Sequence, residues 1–246
     1  MHQFFVEDSQ IHDKTVIIEG SDVNHIKNVL RMKIGEELSV SNGEDGKEYR
    51  CGIVRIEEER VVCELRFVKE DGVELSSRVY LFQGLPKADK MELIIQKAVE
   101  LGVYEVIPVE TGRSVVKLDA KKAAQKTARW QSIAEAAAKQ SRRRIVPKVA
   151  APMRFEQALS LAAEMDVKLI PYELAEGMER TKQIFEGLGE GKDIAVFIGP
   201  EGGFEEKEIA RAKEYGIQPI TLGKRILRTE TAGFTVMAWI MYQLEK

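Results

Sequence analysis

The chain has 246 residues and a formal net charge of −3, with 44% hydrophobic and 31% charged residues. These values are typical of a soluble globular protein with a sizeable core, and the length exceeds that of one typical domain but not that of three. No apolar run is long enough to cross a bilayer, and the first residues lack the apolar stretch of a signal peptide. We therefore expect a cytoplasmic protein with no membrane partner.

Disulfide and metal chemistry are not expected. Cys51 and Cys63 are the two cysteines, and they do not form a Cys-x-x-Cys pair. We expect both to be small buried thiols. The three histidines lie near the N-terminus without the spacing of metal ligands. The sequence therefore predicts no metal cofactor.

Residues 1–72 have the pattern of a small β-barrel. Hairpin-turn signals occur at Asn42-Gly43 and Asp45-Gly46, and residues 22–30 have helical periodicity. Several short strands with frequent turns favour a barrel. The predicted strands are residues 15–18, 37–40, 50–56 and 61–67.

From residue 79 onward, apolar strand patterns alternate with helical patterns. This alternation predicts an α/β domain with a mostly parallel sheet covered on both faces. We place the boundary in the polar segment 70–78, which gives domains 1–72 and 73–246. The predicted strands are 79–82, 106–109, 167–170, 194–198 and 217–220. The predicted helices are 91–101, 119–141, 154–164, 177–188, 205–215 and 231–244.

Two glycine-containing turns, residues 198–204 and 222–232, follow predicted strands near the end of the chain. The carboxyl ends of strands are where α/β sheets bind ligands. The pair Gly202-Gly203 would permit a ligand to approach the backbone closely. Neither turn contains a dinucleotide fingerprint or a Walker A loop. We therefore predict a pocket that holds a small polar molecule through main-chain groups. The alternative is a pair of tight turns without a ligand.

Charged side chains accompany both turns. The Glu201 carboxylate is placed to accept from a ribose hydroxyl or an amine. Arg225 and Arg228 favour contact with a carboxylate or phosphate, or an ion pair at an interface. Thr229 is the expected N-cap of the last helix. The sequence has no nucleophilic His, Cys or Ser constellation, which favours group transfer from an activated cofactor.

Positive charge is concentrated in the middle of the chain. Residues 78–148 carry 15 Lys and Arg against 7 Asp and Glu, whereas residues 1–72 carry 10 against 16. The charge density is greatest over residues 139–144. Such clusters are typical of proteins that bind polyanions. The alternative is a solvated helix end, where the helix dipole favours cations.

Motifs spread over nearly the whole chain resemble the RsmE family of ribosomal RNA methyltransferases, in the SPOUT superfamily. One departure is Gln3, which stands where the family carries an arginine before a Phe-Val pair and which bears on a terminal phosphate contact. The matching segments are residues 25–31, 84–92, 96–103, 111–114, 135–143, 198–204, 222–223 and 225–232.

The resemblance implies an N-terminal, RNA-binding PUA-like barrel and a C-terminal SPOUT domain whose carboxyl segment forms a trefoil knot. It implies a homodimer that uses S-adenosylmethionine (SAM) to methylate N3 of a uridine in small-subunit (16S) ribosomal RNA. The substrate is then free RNA or RNA in an assembled subunit. The alternatives are a SPOUT methyltransferase acting on guanine N1 or a ribose 2′-hydroxyl, and a non-catalytic RNA-binding assembly factor.

The same resemblance implies roles for individual residues. Arg228 and Glu201 would orient or activate the uracil base, because N3 must lose its imide proton before it attacks the methyl group. The last helix is apolar almost all round, so it is either buried in its own domain or also covered by a second chain. The implied cofactor residues are Gly199, Pro200, Gly202, Leu222, Gly223, Ile226, Leu227, Arg228 and Ala232. The excess of positive charge over residues 78–148 motivates a predicted RNA surface, which consists of Arg31, Lys33, Lys87, Lys90, Arg113, Arg142, Arg143 and Arg144.

Overall fold

The computed structural model describes residues 1–70, 72–175 and 177–245. It contains two compact units: Met1–Glu74 with Ala138–Val146, and Leu75–Ala137 with Pro147–Lys246. Each unit has its own sheet and its own core. The polar segment 70–78 includes Asp71, which lies outside the described residues. The segment Ala138–Val146 is part of the first unit although it comes from the middle of the sequence.

The first unit is built on a six-stranded sheet that curls around one core. Its strands are β1 (Gln3–Phe5), β2 (Ile11–His12), β3 (Thr15–Glu19), β4 (Glu37–Ser41), β5 (Glu48–Ile56) and β6 (Arg60–Lys69). Their order is β1-β4-β5-β6-β3-β2, and every pairing is antiparallel except the parallel pairing of β1 with β4. The four predicted strands are confirmed. The two unpredicted strands, β1 and β2, are too short to carry a periodic pattern.

Helical segments of the first unit are short. A 3₁₀ turn spans Asp8–Gln10, and helix α1 (Ser21–Asn24) continues into a π-helical turn at His25–Val29, which confirms the predicted helix. Cys51 and Cys63 are both buried in the core, as predicted. Burial raises the pKa of each thiol to about 12, so both stay protonated at neutral pH.

The second unit contains a seven-stranded parallel sheet, which confirms the predicted sheet type. Its order is β10-β8-β7-β12-β11-β13, with β9 also paired to β8. The strands are β7 (Arg78–Gly84), β8 (Glu105–Glu110), β9 (Lys148–Val149), β10 (Met153–Arg154), β11 (Val167–Pro171), β12 (Asp193–Ile198) and β13 (Gln218–Ile220). The two-residue strands β9 and β10 were not predicted, again because of their length.

Six helices follow residue 75 in the described part of the chain, and each matches a predicted helix; the end of α3, from Ala138, belongs to the first unit. They are α2 (Lys90–Glu100), α3 (Ala120–Ser141), α4 (Phe155–Ala162), α5 (Met178–Glu186), α6 (Glu206–Glu214) and α7 (Thr229–Leu244). The central strand β12 is buried from Ile194 to Ile198, as expected of a strand covered on both faces. Beside it, the rings of Phe82 and Phe197 stack with centroids 4.4 Å apart.

Helix α7 buries one face within its own unit and leaves apolar surface on another. Val236, Met237 and Ile240 are fully buried, and the helix packs against α2, α5 and β12. Tyr242 is nevertheless 83% exposed, and Leu93 on the neighbouring helix α2 is 43% exposed. Among the described residues, no helix has the length and apolar character needed to cross a bilayer.

Candidate active site

A cavity of about 220 Å³ lies at the carboxyl ends of three neighbouring strands, β12, β11 and β13. The turns that follow these strands form its wall. This position is the one at which open α/β sheets bind ligands. Its lining consists of Pro171, Tyr172, Glu173, Ile198, Gly199, Pro200, Glu201, Gly202, Gly203, Phe204, Thr221, Leu222, Gly223, Lys224, Arg225, Ile226, Leu227, Thr229 and Ala232.

Most of the predicted cofactor residues lie together in this lining. Arg228 is the exception: its side chain is exposed and is not part of the wall. Its carbonyl accepts a hydrogen bond from Ala232 at 2.8 Å, where α7 begins. The predicted residues that line the cavity are Gly199, Pro200, Gly202, Leu222, Gly223, Ile226, Leu227 and Ala232, together with Glu201.

The sequence did not predict the contribution of the turn after β11. Pro171, Tyr172 and Glu173 line the cavity because β11 lies between β12 and β13. The Tyr172 main-chain N–H donates to the Ile220 carbonyl at 3.0 Å, which joins this turn to the end of β13. Strand 167–170 was predicted, and its carboxyl end could have indicated a third turn at the cavity. The sequence did not reveal that this strand lies between β12 and β13.

The wall is rich in main-chain groups. Gly223 has φ +103°, a backbone conformation that residues other than glycine rarely adopt. Apart from the two flanking residues, a Cβ added at Gly223 would meet Met178 Cε at 3.6 Å and no other atom of the described residues within 4 Å. Among the described residues, the main-chain N–H groups of Leu222, Ile226 and Leu227 form no hydrogen bond with protein acceptors. Such donors suit a small ligand that carries several hydrogen-bond acceptors.

The Glu201 carboxylate holds neighbouring segments together at the cavity. It accepts from the Lys87 main-chain N–H at 3.1 Å and forms an ion pair with Lys90 Nζ at 3.1 Å. Burial raises the pKa of Glu201, but hydrogen bonds from main-chain N–H groups and from Lys90 outweigh burial and hold that pKa below its usual value. Glu201 is therefore ionised at neutral pH.

Lys90, a predicted RNA contact, is engaged within the protein. Its ammonium group lies 3.1 Å from Glu201 and 3.5 Å from Glu230. The hydrogen bond to Glu201 is the main reason that the Lys90 pKa is raised. The lysine is thus a fixed positive charge between two carboxylates.

Arg113 lies against the first turn. Its Nη1 donates to the Gly202 carbonyl at 2.7 Å, and its side chain is otherwise exposed. The adjacent Gly112 main-chain N–H donates to Glu208 Oε1 at 2.8 Å. These two bonds dock the segment 111–114 onto the turn and the first part of α6. Arg113 is therefore held near the cavity while its guanidinium keeps further donors for a ligand.

The structure corrects the expectation that Arg143 and Arg144 face RNA. They are 4% and 3% exposed. Arg143 donates to Glu74, with Nε at 2.9 Å from Oε2, and Arg144 Nη2 donates to Glu48 Oε2 at 2.9 Å. Gln3, where the family pattern has arginine, donates to the Arg143 carbonyl at 2.7 Å. We therefore leave both arginines out of the proposed RNA surface.

The remaining predicted RNA contacts have exposed side chains. They are Arg31, Lys33 and Arg142 in the first unit and Lys87 in the second. Arg31 and Arg142 have positive φ angles of 54° and 59°. Residues other than glycine in this conformation are uncommon and are often found at functional sites. Within the described part of the chain, no cluster of His, Cys, Asp or Glu could hold a metal ion.

Comparison with known proteins identifies the family. A family model described as an RNA methyltransferase domain matches residues 73–241, and one described as an RNA methyltransferase PUA domain matches residues 18–66. The chain is 39% identical to ribosomal RNA small subunit methyltransferase E of Bacillus subtilis (strain 168), over 100% of this chain and 98% of that protein. The chain belongs to this methyltransferase family. The expected resemblance to RsmE is confirmed.

Further relatives support the assignment. The protein of the same name from Mesomycoplasma hyopneumoniae (strain 232) is 34% identical over 96% of this chain and 97% of its own length. A solved structure of a ribosomal RNA small subunit methyltransferase E from Neisseria gonorrhoeae, bound to S-adenosyl methionine, has a TM-score of 0.84. It is 32% identical over 98% of this chain and 97% of that chain.

The cavity can be tested with Gly223→Val. A branched side chain at φ +103° strains the second turn by about 1–3 kcal/mol and crowds the wall. We expect SAM affinity, measured by isothermal titration calorimetry, to fall at least about tenfold. Gly191→Val is the matched control, because Gly191 also has a positive φ, +69°, but precedes β12 at the opposite end of the strand. Equal SAM affinity in the two variants would contradict the assignment of the cavity.

Proposed function

We propose that this protein transfers a methyl group from SAM to N3 of a uridine in small-subunit (16S) ribosomal RNA. The observation that carries the proposal is the cavity walled by the turns after β11, β12 and β13, in a chain that belongs to the RsmE family. When bound, SAM would supply a methyl group activated by a sulfonium, with a neutral thioether as the leaving group. The N3 proton is lost to solvent before N3 accepts the methyl group. The turns would hold SAM through the main-chain groups of Gly199, Leu222, Gly223 and Leu227.

Glu201 and Arg228 are the proposed groups for handling the uracil base. The lowered pKa of Glu201 makes its carboxylate a weak proton acceptor, since a general base works best with a pKa near the working pH. We therefore assign Glu201 to orientation. Arg228 is exposed beside the second turn, where its guanidinium can stabilise the negative charge that develops on the base.

We propose RNA contacts for each unit by itself, at residues with exposed guanidinium or ammonium groups. Arg31, Lys33 and Arg142 belong to the first unit, and Lys87 and Arg113 belong to the second. Lys90 is paired with Glu201 and Glu230, so its charge is compensated within the protein and we leave it out of these contacts. Positive side chains bind nucleic acid mainly by neutralising phosphates. Action on ribosomal RNA places the protein in the cytoplasm.

We further propose a SPOUT-type second unit with a trefoil knot in its carboxyl segment, and a PUA-like first unit. The match of residues 18–66 to a PUA family model supports the PUA-like first unit. The resemblance of the turns at 198–204 and 222–232 to SPOUT proteins supports the SPOUT-type second unit. Pulling the two termini apart tests the knot, because a knotted chain extends less than its contour length of about 3.3–3.6 Å per residue.

Nucleoside analysis by mass spectrometry tests the reaction. Small-subunit ribosomal RNA from cells that lack the protein should lose 3-methyluridine, and expression of the wild-type chain should restore it. Loss of 1-methylguanosine or of a 2′-O-methylated nucleoside would instead assign another target. An unchanged nucleoside profile would favour the non-catalytic assembly factor. Incubation of the purified protein with SAM and either free RNA or small subunits then identifies the physical substrate.

Adjacent arginines provide a matched test of the RNA surface. Arg142→Gln should reduce the salt dependence of RNA binding by about 0.7–0.9 in log–log slope for one lost phosphate contact, with unchanged thermal stability. Arg143→Met should lower the free energy of unfolding by about 3–5 kcal/mol, because it leaves Glu74 with main-chain donors alone. A salt slope unaffected by Arg142→Gln would remove this residue from the surface.

We also propose a homodimer in which a second copy covers the exposed side of α7. Tyr242 on α7 and Leu93 on the adjacent helix α2 are large exposed side chains, and exposed apolar surface marks interaction sites. Light scattering at micromolar concentration should report about twice the mass of one chain. Tyr242→Glu should shift the protein toward the monomer. A wild-type monomer that still methylates RNA would exclude the dimer from the mechanism.

A further inference from the structure

A hydrogen bond joins the turn after β12 to the start of α7, where the turn after β13 ends. The Thr229 hydroxyl donates to the Gly199 carbonyl at 2.6 Å. Thr229 was expected to cap α7, but the N-cap is Arg228, and Thr229 is the first residue of the helix. Its hydroxyl therefore does not cap the helix. It connects the start of α7 to the turn that follows β12.

Gln83 determines the direction of this hydrogen bond. It is fully buried near the end of β7, and its Nε2 donates to the Gly84 carbonyl and to Thr229 Oγ1, each at 2.9 Å. The Gly84 carbonyl can only accept, so it fixes the orientation of the side-chain amide. Because Thr229 Oγ1 accepts from Gln83, its own hydrogen is left to donate to Gly199. Gln83, Thr229 and the Gly199 carbonyl therefore form a chain of two hydrogen bonds with one fixed direction, which we call the relay.

The chemistry of Gln83 indicates that its donors are the reason for its presence. Its Oε1 is buried and accepts no hydrogen bond from the described residues. An unpaired buried carbonyl is costly, and an apolar side chain would avoid that cost. A glutamine here is accounted for by the two bonds that its amide group donates.

The relay acts where two main-chain segments are in direct contact. A Cβ on Gly84 would lie 2.7 Å from Pro200 Cδ and 2.8 Å from Pro200 N, so the end of β7 touches the turn after β12 without an intervening side chain. The Gly199 carbonyl belongs to the peptide that precedes Pro200. A bond to this carbonyl therefore sets the orientation of the peptide, and with it the shape of the cavity wall.

We propose that Gln83 and Thr229 are positioning residues for the cofactor, which act by fixing the Gly199 carbonyl and the separation of the two turns. This inference rests on the proposed use of the cavity for SAM. Gln83 does not line the cavity, so its influence on the ligand passes through Thr229 and Gly199. Cofactor affinity then depends on a buried side chain that the cofactor does not touch.

Two substitutions of Thr229 separate positioning from packing. Thr229→Val keeps the volume but removes the hydroxyl, which leaves the Gly199 carbonyl and a Gln83 donor unpaired. We expect the SAM dissociation constant, measured by calorimetry well below the melting temperature, to rise about tenfold or more. Thr229→Ser retains the hydroxyl and should bind SAM nearly as tightly as the wild type. The KM for SAM should rise in Thr229→Val while the KM for RNA stays unchanged.

Gln83→Met supplies an independent variant and completes a double-mutant cycle. If the relay acts as a unit, Gln83→Met and Thr229→Val should each weaken SAM binding, and the double variant should bind little more weakly than either single one. A lower melting temperature with unchanged SAM affinity in both single variants would overturn the inference and leave a purely structural network. Failure of the wild-type protein to bind SAM would instead overturn the proposed function.

Discussion

The parallel pairing of β12 with β7 on one side and β11 on the other is the constraint on which the cavity depends. Parallel strands end at the same edge of a sheet, so the turns after β11, β12 and β13 meet there. Beneath them, Phe82 and Phe197 stack in a fully buried core. Turns built on such a close-packed sheet are held in place more tightly than turns in a free loop.

Several charged groups in the segments that match the RsmE family bind other parts of the protein. Glu201 accepts from the Lys87 main chain, Arg113 donates to Gly202, and Arg143 pairs with Glu74. The local charge balance of the sequence therefore overstates the number of cations available to RNA. The same pairing leaves the ligand wall to main-chain groups, whose directions depend on the backbone rather than on flexible side chains.

Sequence periodicity was sufficient for the strands and helices that are long enough to show it. The apolar run 194–198 predicted β12, and the glycine turn after it predicted where the cavity begins. Periodicity carries no information about contacts between residues that are far apart in the sequence. The partner of Arg144, Glu48, lies 96 residues away, and the acceptor for Thr229 lies 30 residues away. In both cases the local pattern of a basic cluster or a helix cap favoured a different interpretation.

The lowered pKa of Glu201 also limits which group can remove the N3 proton of uracil in the proposed reaction. A folded-state pKa below the usual value of about 4.3 means that the carboxylate stabilises the fold above that pH, and that this contribution is lost as the pH falls through the lowered pKa. At neutral pH the group is ionised and paired with Lys90. A weak base of this kind cannot drive removal of a weakly acidic imide proton. The pH dependence of methyl transfer should therefore follow the ionisation of the uracil base, and Glu201→Gln should lower the rate without moving the alkaline rise of the profile. An alkaline rise that shifts in Glu201→Gln would assign the carboxylate to proton transfer after all.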